Sequence, residues 1–129
     1  MEKNDQVILA VNGTLMRGLE LENNLKEVNA RFLKESQTER AYRLFSIDDK
    51  YPAMIKGEGG TVIEVELYEL DFQALEIILS KEPPGLTIEK IKLIDNSEVY
   101  GVVGLPLIIQ NQKEITSFGG WRNYIKNRP

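Results

Sequence analysis

The 129 residues contain no His and no Cys, so imidazole bases, thiol nucleophiles, disulfides and cysteine metal sites are absent from the chemistry of the chain. Carboxylates, the hydroxyls of Ser, Thr and Tyr, Lys, and electrostatic stabilisation by backbone amides and Arg remain. The segment best suited to such electrostatic work is Asn12-Gly13-Thr14-Leu15-Met16-Arg17-Gly18. It directly follows the apolar run at 7–11, so its amides emerge at a strand end, where a glycine-permitted bend turns several N–H groups toward one anion. The same residues also make an ordinary Asn-Gly turn, and the Lys-Ser/Thr ending of a Walker loop is missing. No metal-ligand spacing, Rossmann glycine pattern or basic-aromatic interleaving occurs, and neither a metal nor another cofactor is expected.

The elements that must position this loop are readable in outline. Residues 7–11 are continuously apolar, which predicts a buried first strand. Leu19, Leu21 and Leu25 permit a helical turn or two. Strands are expected over 30–35 and 41–47, pairing as neighbours, and over 52–56, before a glycine turn at 57–60 where positive φ costs little. In 63–70, Ile63, Val65 and Leu67 lie on one face and Glu64, Glu66 and Tyr68 on the other, so one face meets a core and the other water or a cavity. Asp71 is the expected N-cap of a helix carrying Phe72, Leu75, Ile78 and Leu79, ended by Pro83-Pro84-Gly85. A hairpin then joins 86–94 to 99–105 through Asp95-Asn96, and Gly101 and Gly104 imply curvature or close approach by something else. A short turn at 106–109 and a last helix with Trp121, Tyr124 and Ile125 complete an α+β domain spanning 1–129. Its sheet is expected to be curved or barrel-like.

Composition narrows the function classes. With 42% hydrophobic and 28% charged residues, the chain reads as a folded globule and not as a disordered tail. Its net charge of −4 opposes binding to a phosphate backbone, and nucleic acid is not an expected partner. The basic tail, with Arg122, Lys126 and Arg128 and no acid after residue 121, suits a solvated helix end. The run at 7–11 is too short for a signal peptide or a membrane span, so a cytoplasmic protein without membrane contact is expected.

Asn12-Gly13-Thr14-Leu15 is similar to the Tyr-Gly-Ser/Thr-Leu loop of the γ-glutamylcyclotransferase-like fold family. The wider pattern resembles one branch of that fold, the C-terminal domain of allophanate hydrolase. It comprises Tyr42-Arg43-Leu44-Phe45, Gly59-Gly60, Ile63-Glu64-Val65-Glu66-Leu67-Tyr68, Pro83 with Leu86-Thr87-Ile88, and Ile115-Thr116-Ser117-Phe118-Gly119-Gly120-Trp121-Arg122-Asn123-Tyr124. The Gly-Gly-Trp-Arg block is the most specific. The resemblance implies a small mixed β-barrel with a central helix, a C-terminal helix and a pocket near the first glycine loop, whose amides hold a substrate carboxylate. It also implies handling of the small carboxylated product left by an amidase, with release of carbon dioxide and ammonia. The amidase itself would need several hundred more residues, so this chain is expected to stand alone. Its expected partners are a small carboxylate and either a separate amidase chain or a second copy of itself.

Two departures bear on mechanism. The allophanate hydrolase branch commonly has a His where Thr14 stands, and Thr14 can hydrogen-bond a ligand but cannot act as a near-neutral base. The cyclotransferase branch uses a Glu near the end of the helix after the central strand, close to the place of Glu82. The resemblance thus implies Glu82 as the catalytic base, and partial burial would be needed to raise its pKa toward neutrality. The alternative is a solvated helix-terminal Glu beside Lys81.

The remaining candidate binding residues surround this picture. Asn12, Gly13, Thr14 and Leu15 supply the loop, and Arg17 and Arg43 are the cations suited to holding a planar carboxylate. Glu64 and Glu66, if turned inward, are coupled carboxylates or cation ligands; turned outward they are solvated. Trp121 starts a helix whose N–H groups can face an anion, or else it packs in the core. A non-catalytic binding or assembly module with the same fold is the competing expectation.

Overall fold

The apolar run forms β1 (Gln6–Val11), whose last three residues are fully buried, and the rest of the chain is arranged around it. The computed structural model describes residues 5–128. The charged residues 1–4 and Pro129, the end of the basic tail, lie outside them. After β1 come α1 (Glu22–Glu27), β2 (Arg31–Gln37), β3 (Tyr42–Ile47), β4 (Tyr51–Lys56), β5 (Glu64–Asp71) and α2 (Ala74–Ser80). β6 (Leu86–Lys92), β7 (Glu98–Gly104), the two-residue β8 (Lys113–Glu114) and α3 (Trp121–Asn127) follow, with short 3-10 turns at Pro106–Ile109 and Thr116–Phe118. Among the described residues no helix is long and apolar enough to cross a membrane.

The strands make a five-stranded sheet in the order β2-β5-β1-β7-β6 and a three-stranded sheet in the order β4-β3-β8. β1 and β7 are parallel; the other pairs are antiparallel. Strands β2 and β3 were expected to pair with each other, and they do not. The chain leaves β2 through Thr38, fully buried, whose hydroxyl oxygen accepts the Ile63 N–H at 2.9 Å. This polar corner carries the chain from one sheet to the other.

The fold is α+β, but the sheets do not close into a barrel. The edges of the larger sheet meet at one bridge, Thr38 to Leu93, where Glu39 N–H donates to Lys92 O and Ile94 N–H to Gln37 O, both at 3.0 Å. Beyond it the strands diverge because β3 belongs to the second sheet. That sheet packs β4 across β7 at Gly104, where a Cβ would stand 2.8 Å from the Ala53 Cβ. The strand glycine is therefore a point of close approach between sheets.

Strand β5 is buried on both faces: Val65 and Leu67 face the apolar core, and Glu66 and Tyr68 on the other side are also covered. Asp71 does not cap α2. It ends β5, where Gln6 Nε2 donates to it, and α2 starts after Gln73 without a side-chain cap. Leu75 and Ile78 are buried as the stripe predicts, whereas Phe72 is half exposed because the helix begins two residues beyond it.

Candidate functional site

Where β1 ends, the loop over 12–18 turns under the larger sheet and is fastened from behind. Met16 N–H donates to Gly13 O (2.9 Å) and Leu21 N–H to Thr14 O (2.8 Å). The Asn12 side-chain amide donates to Val102 O at 2.9 Å, and the Leu15 side chain sits in the core. With the loop carbonyls and side chains so engaged, the N–H groups of Gly13, Thr14 and Leu15 have no acceptor among the described residues. Buried amides without partners are costly in a fold and mark places where water or a ligand accepts.

Glu82 stands opposite. The helix α2 ends just before it, and the rigid Pro83-Pro84 holds it against the loop, where it lines one cleft with Val11, Asn12, Gly13, Thr14 and Leu15. Although the residue as a whole is only half-buried, its Oε2 is sealed from solvent and has no hydrogen-bond partner among the described residues. Burial alone pushes the carboxyl up to about 7. No cation offsets it, because the neighbouring Lys81 turns away to Glu27 at 2.8 Å. A carboxyl that is half-protonated near neutrality can give or take a proton at physiological pH.

Pro52 and Tyr51 complete the cleft. A Cβ on Gly13 would come within 2.6 Å of the Pro52 ring carbons, so only glycine lets β4 lie over the loop. Gly13→Ala should therefore cost about 1–2 kcal/mol through overpacking, and a melting temperature unchanged from wild type would sink that contact. The Tyr51 hydroxyl donates to Pro84 O at 3.1 Å. What remains open inside is about 10 Å³, enough for one water at most.

The other candidate residues lie elsewhere. Arg17 and Glu66 meet behind the loop: the Arg17 N–H donates to Glu66 Oε1 at 2.9 Å, and the guanidinium reaches Glu66 at 3.3 Å and Glu35 at 2.9 Å while covering the Phe32 ring. Arg122 joins them, donating to Glu66 Oε2 at 3.0 Å and to Arg17 O at 2.5 Å. Burial works against ionisation of Glu66, but the Arg17 amide and the Arg122 and Arg17 guanidiniums outweigh it and hold the carboxyl below its ordinary value. Arg43 forks onto Glu114 at 3.0 and 2.8 Å, in the smaller sheet. That fork and the Thr116 hydroxyl hold Glu114 down to about 2. Glu64 borders an outer groove beside Arg122, and Trp121 is buried core, 5.6 Å from the Tyr124 ring.

The structure thus brings Glu82 together with Asn12–Leu15 and leaves Arg17, Arg43, Glu64, Glu66 and Trp121 outside that cleft. Tyr51 and Pro52 were missed by sequence reasoning. Their one local signal is a proline inside a strand, which marks an edge, and nothing local says which loop that edge covers.

Among the described residues no group of three or more acids is placed to hold a metal. A roomier depression of about 470 Å³ lies between β4 and the β6–β7 hairpin. Its Lys56 and Lys90 are matched with Glu39 and Glu98 at 3.7 and 4.0 Å, and it shares no residue with the loop.

Known proteins carry the same architecture. A crystallised uropathogenic E. coli-specific protein, c4763, superposes with a TM-score of 0.93 at 45% identity, covering 97% of this chain and 99% of that one. Kluyveromyces lactis allophanate hydrolase superposes at 0.89 with 25% identity, covering 97% of this chain but 22% of that one. The urea amidolyase of Saccharomyces cerevisiae is 27% identical over 126 residues, 92% of this chain and 7% of the amidolyase. The chain therefore spans only a small part of these enzymes. A γ-glutamyl cyclotransferase, at a TM-score of 0.53 and 11% identity over 85% of this chain and 70% of that one, shares the fold alone. Residues 7–126 match the allophanate hydrolase C-terminal domain, and the chain belongs to that family.

Proposed function

We propose that the chain acts as a single domain, 1–129, that binds a small carboxylate on the amides of Gly13, Thr14 and Leu15 and uses Glu82 to move a proton on that ligand. The observation that carries this reading is the sealed, unpartnered Oε2 of Glu82 in the same cleft as three unused amides. A carboxylate accepting several N–H groups satisfies the loop, and a neighbouring group of pKa about 7 supplies the acid or base.

The ligand class that family membership favours is a carboxylated carbamate or related urea derivative. In such a compound the loop holds one carboxylate. The bond from nitrogen to the second carboxylate carbon breaks, its electron pair stays on nitrogen, and nitrogen takes the proton from Glu82. Carbon dioxide leaves and water reprotonates Glu82. A γ-glutamyl compound is the other class: Glu82 takes a proton from the α-ammonium, the freed amine bonds to the γ-carbonyl carbon, and the γ-amide C–N bond breaks as Glu82 returns the proton to the departing amine. Because the related domains form 22% and 7% of larger chains, a second reading is an assembly module that docks on an amidase and has no turnover.

The test is thermal unfolding against malonate, γ-glutamyl amino acids, 5-oxoproline and urea derivatives. A ligand bound only by the folded state at about 100 times Kd adds roughly 2.7 kcal/mol of stability. We expect a shift with malonate, and loss of turnover of the carboxylated substrate in Glu82→Gln with malonate binding kept. Turnover that survives in Glu82→Gln would remove Glu82 from the chemistry, and no shift with any compound would favour the assembly module.

A further inference from the structure

We propose that Tyr51 and Pro52, at the start of β4, form the gate of the Glu82 cleft and set the size of what reaches its carboxyl, an inference that rests on this cleft being the working site. The closed cleft has room for one water, and every carboxylate is larger than that. One of its walls must therefore move.

The walls differ in how they are held. The floor is Val11 and Val102, on the two central strands β1 and β7. The loop is fixed by Glu66, which takes the Arg17 N–H, and by Arg122, which takes both Glu66 and the Arg17 carbonyl. Strand β4, in contrast, is an edge strand paired only with β3. Among the described residues its side-chain hydrogen bonds to the rest of the cleft are an exposed one, from the Tyr51 hydroxyl to Pro84 O, and a weak one from the Asn12 amide onto the Met54 sulfur. Proline fits this edge because it needs no outward N–H partner.

Behind the gate the hairpin turn is anchored. Asp49 accepts from the Ser46 hydroxyl at 2.6 Å and from the Tyr124 hydroxyl at 2.5 Å, and Arg128 donates to its carbonyl at 3.1 Å. With the turn held, the opening falls to the Tyr51 side chain and the Pro52 ring. A small planar dicarboxylate needs the least displacement of that ring, so the gate selects for it over a long γ-glutamyl chain.

Water access to Glu82 gives a readout that needs no ligand. Tyr51 is the other titratable side chain lining the cleft, and burial pushes its own titration up, away from that of Glu82. The Glu82 carboxyl carbon can be followed by NMR across pH, identified by its loss in Glu82→Gln, in the wild type, Pro52→Ala and Tyr51→Phe. We expect a wild-type midpoint near 7, a midpoint at least tenfold more acidic in Pro52→Ala, and a smaller fall in Tyr51→Phe, which answers the question if the proline variant does not fold. A natively folded Pro52→Ala with the wild-type midpoint would overturn the gate, as would a wild-type midpoint in the ordinary carboxylate range. A fallen midpoint in variants that bind neither malonate nor γ-glutamyl compounds would uphold the gate while removing the ligand reading.

Discussion

Glu82→Gln should melt roughly 10 °C above the wild type at pH 8.5 and at nearly the same temperature at pH 4. The carboxyl sits at about 7 in the folded chain against 4.5 in the unfolded one, so the folded state binds this proton more tightly. Its contribution is then complete below pH 4.5, declines between 4.5 and 7, and is lost above 7. A displacement of this size corresponds to about 3 kcal/mol at most, which in a domain of this length is roughly 10 °C. Gln keeps the shape and cannot ionise, so it escapes the loss, and the difference between the two proteins must open as pH rises. A constant difference from pH 4 to pH 9 would mean that Glu82 is solvated in the folded protein. The expectation concerns stability alone and holds whether or not the cleft turns anything over. A group that costs stability at the pH of the cell is what a functional site retains and a purely structural one has no reason to keep.

Local pattern carries the strands of this fold but not their pairing. Strand positions came from period-two alternation and β-branched runs, and these are local properties, so β1, β5 and the β6–β7 hairpin were legible. Pairing is not local. The move of the chain at Thr38 from one sheet to the other depends on the hydroxyl meeting Ile63, which no window of sequence contains, and the expected pairing of β2 with β3 failed there. Barrel closure failed for the same reason, since it requires two distant edges to stay in register beyond Thr38 and Leu93. The proximity of Glu82 to the loop came through family resemblance. What pattern alone could offer was a Glu at a helix end before two prolines, and its sealing by Tyr51 and Pro52 is a tertiary event. The strict alternation of β5 placed Glu66 on the polar face correctly, but it could not reveal that two arginines from opposite ends of the chain cover that face.

That cover gives the second large effect. Arg122→Ala should destabilise the chain by about 2–3 kcal/mol near neutrality. Glu66 is 1% exposed and Arg122 37% exposed, so truncating Arg122 leaves a buried carboxylate with less compensation than it was folded around. Breaking a fully buried pair costs about 3–5 kcal/mol, and the partial exposure of Arg122 reduces that figure. Arg17 remains on Glu66 at 3.3 Å and limits the damage further. The pH dependence runs opposite to that of Glu82. Because Glu66 is held below its ordinary value, its contribution is present above the unfolded pKa and is lost as pH falls through the folded one. The gap between wild type and Arg122→Ala must therefore close toward acid. Denaturant unfolding at pH 7 and pH 3 reads both claims, and a cost under about 0.5 kcal/mol at pH 7 would place the pair among surface ion pairs that contribute little. The same variant reaches the cleft, since Arg122 also holds the Arg17 carbonyl at the far end of the loop that presents Gly13, Thr14 and Leu15. Amide chemical-shift changes at those three residues in Arg122→Ala, with β1 and β7 unmoved, are the expected sign that α3 keeps the loop in shape.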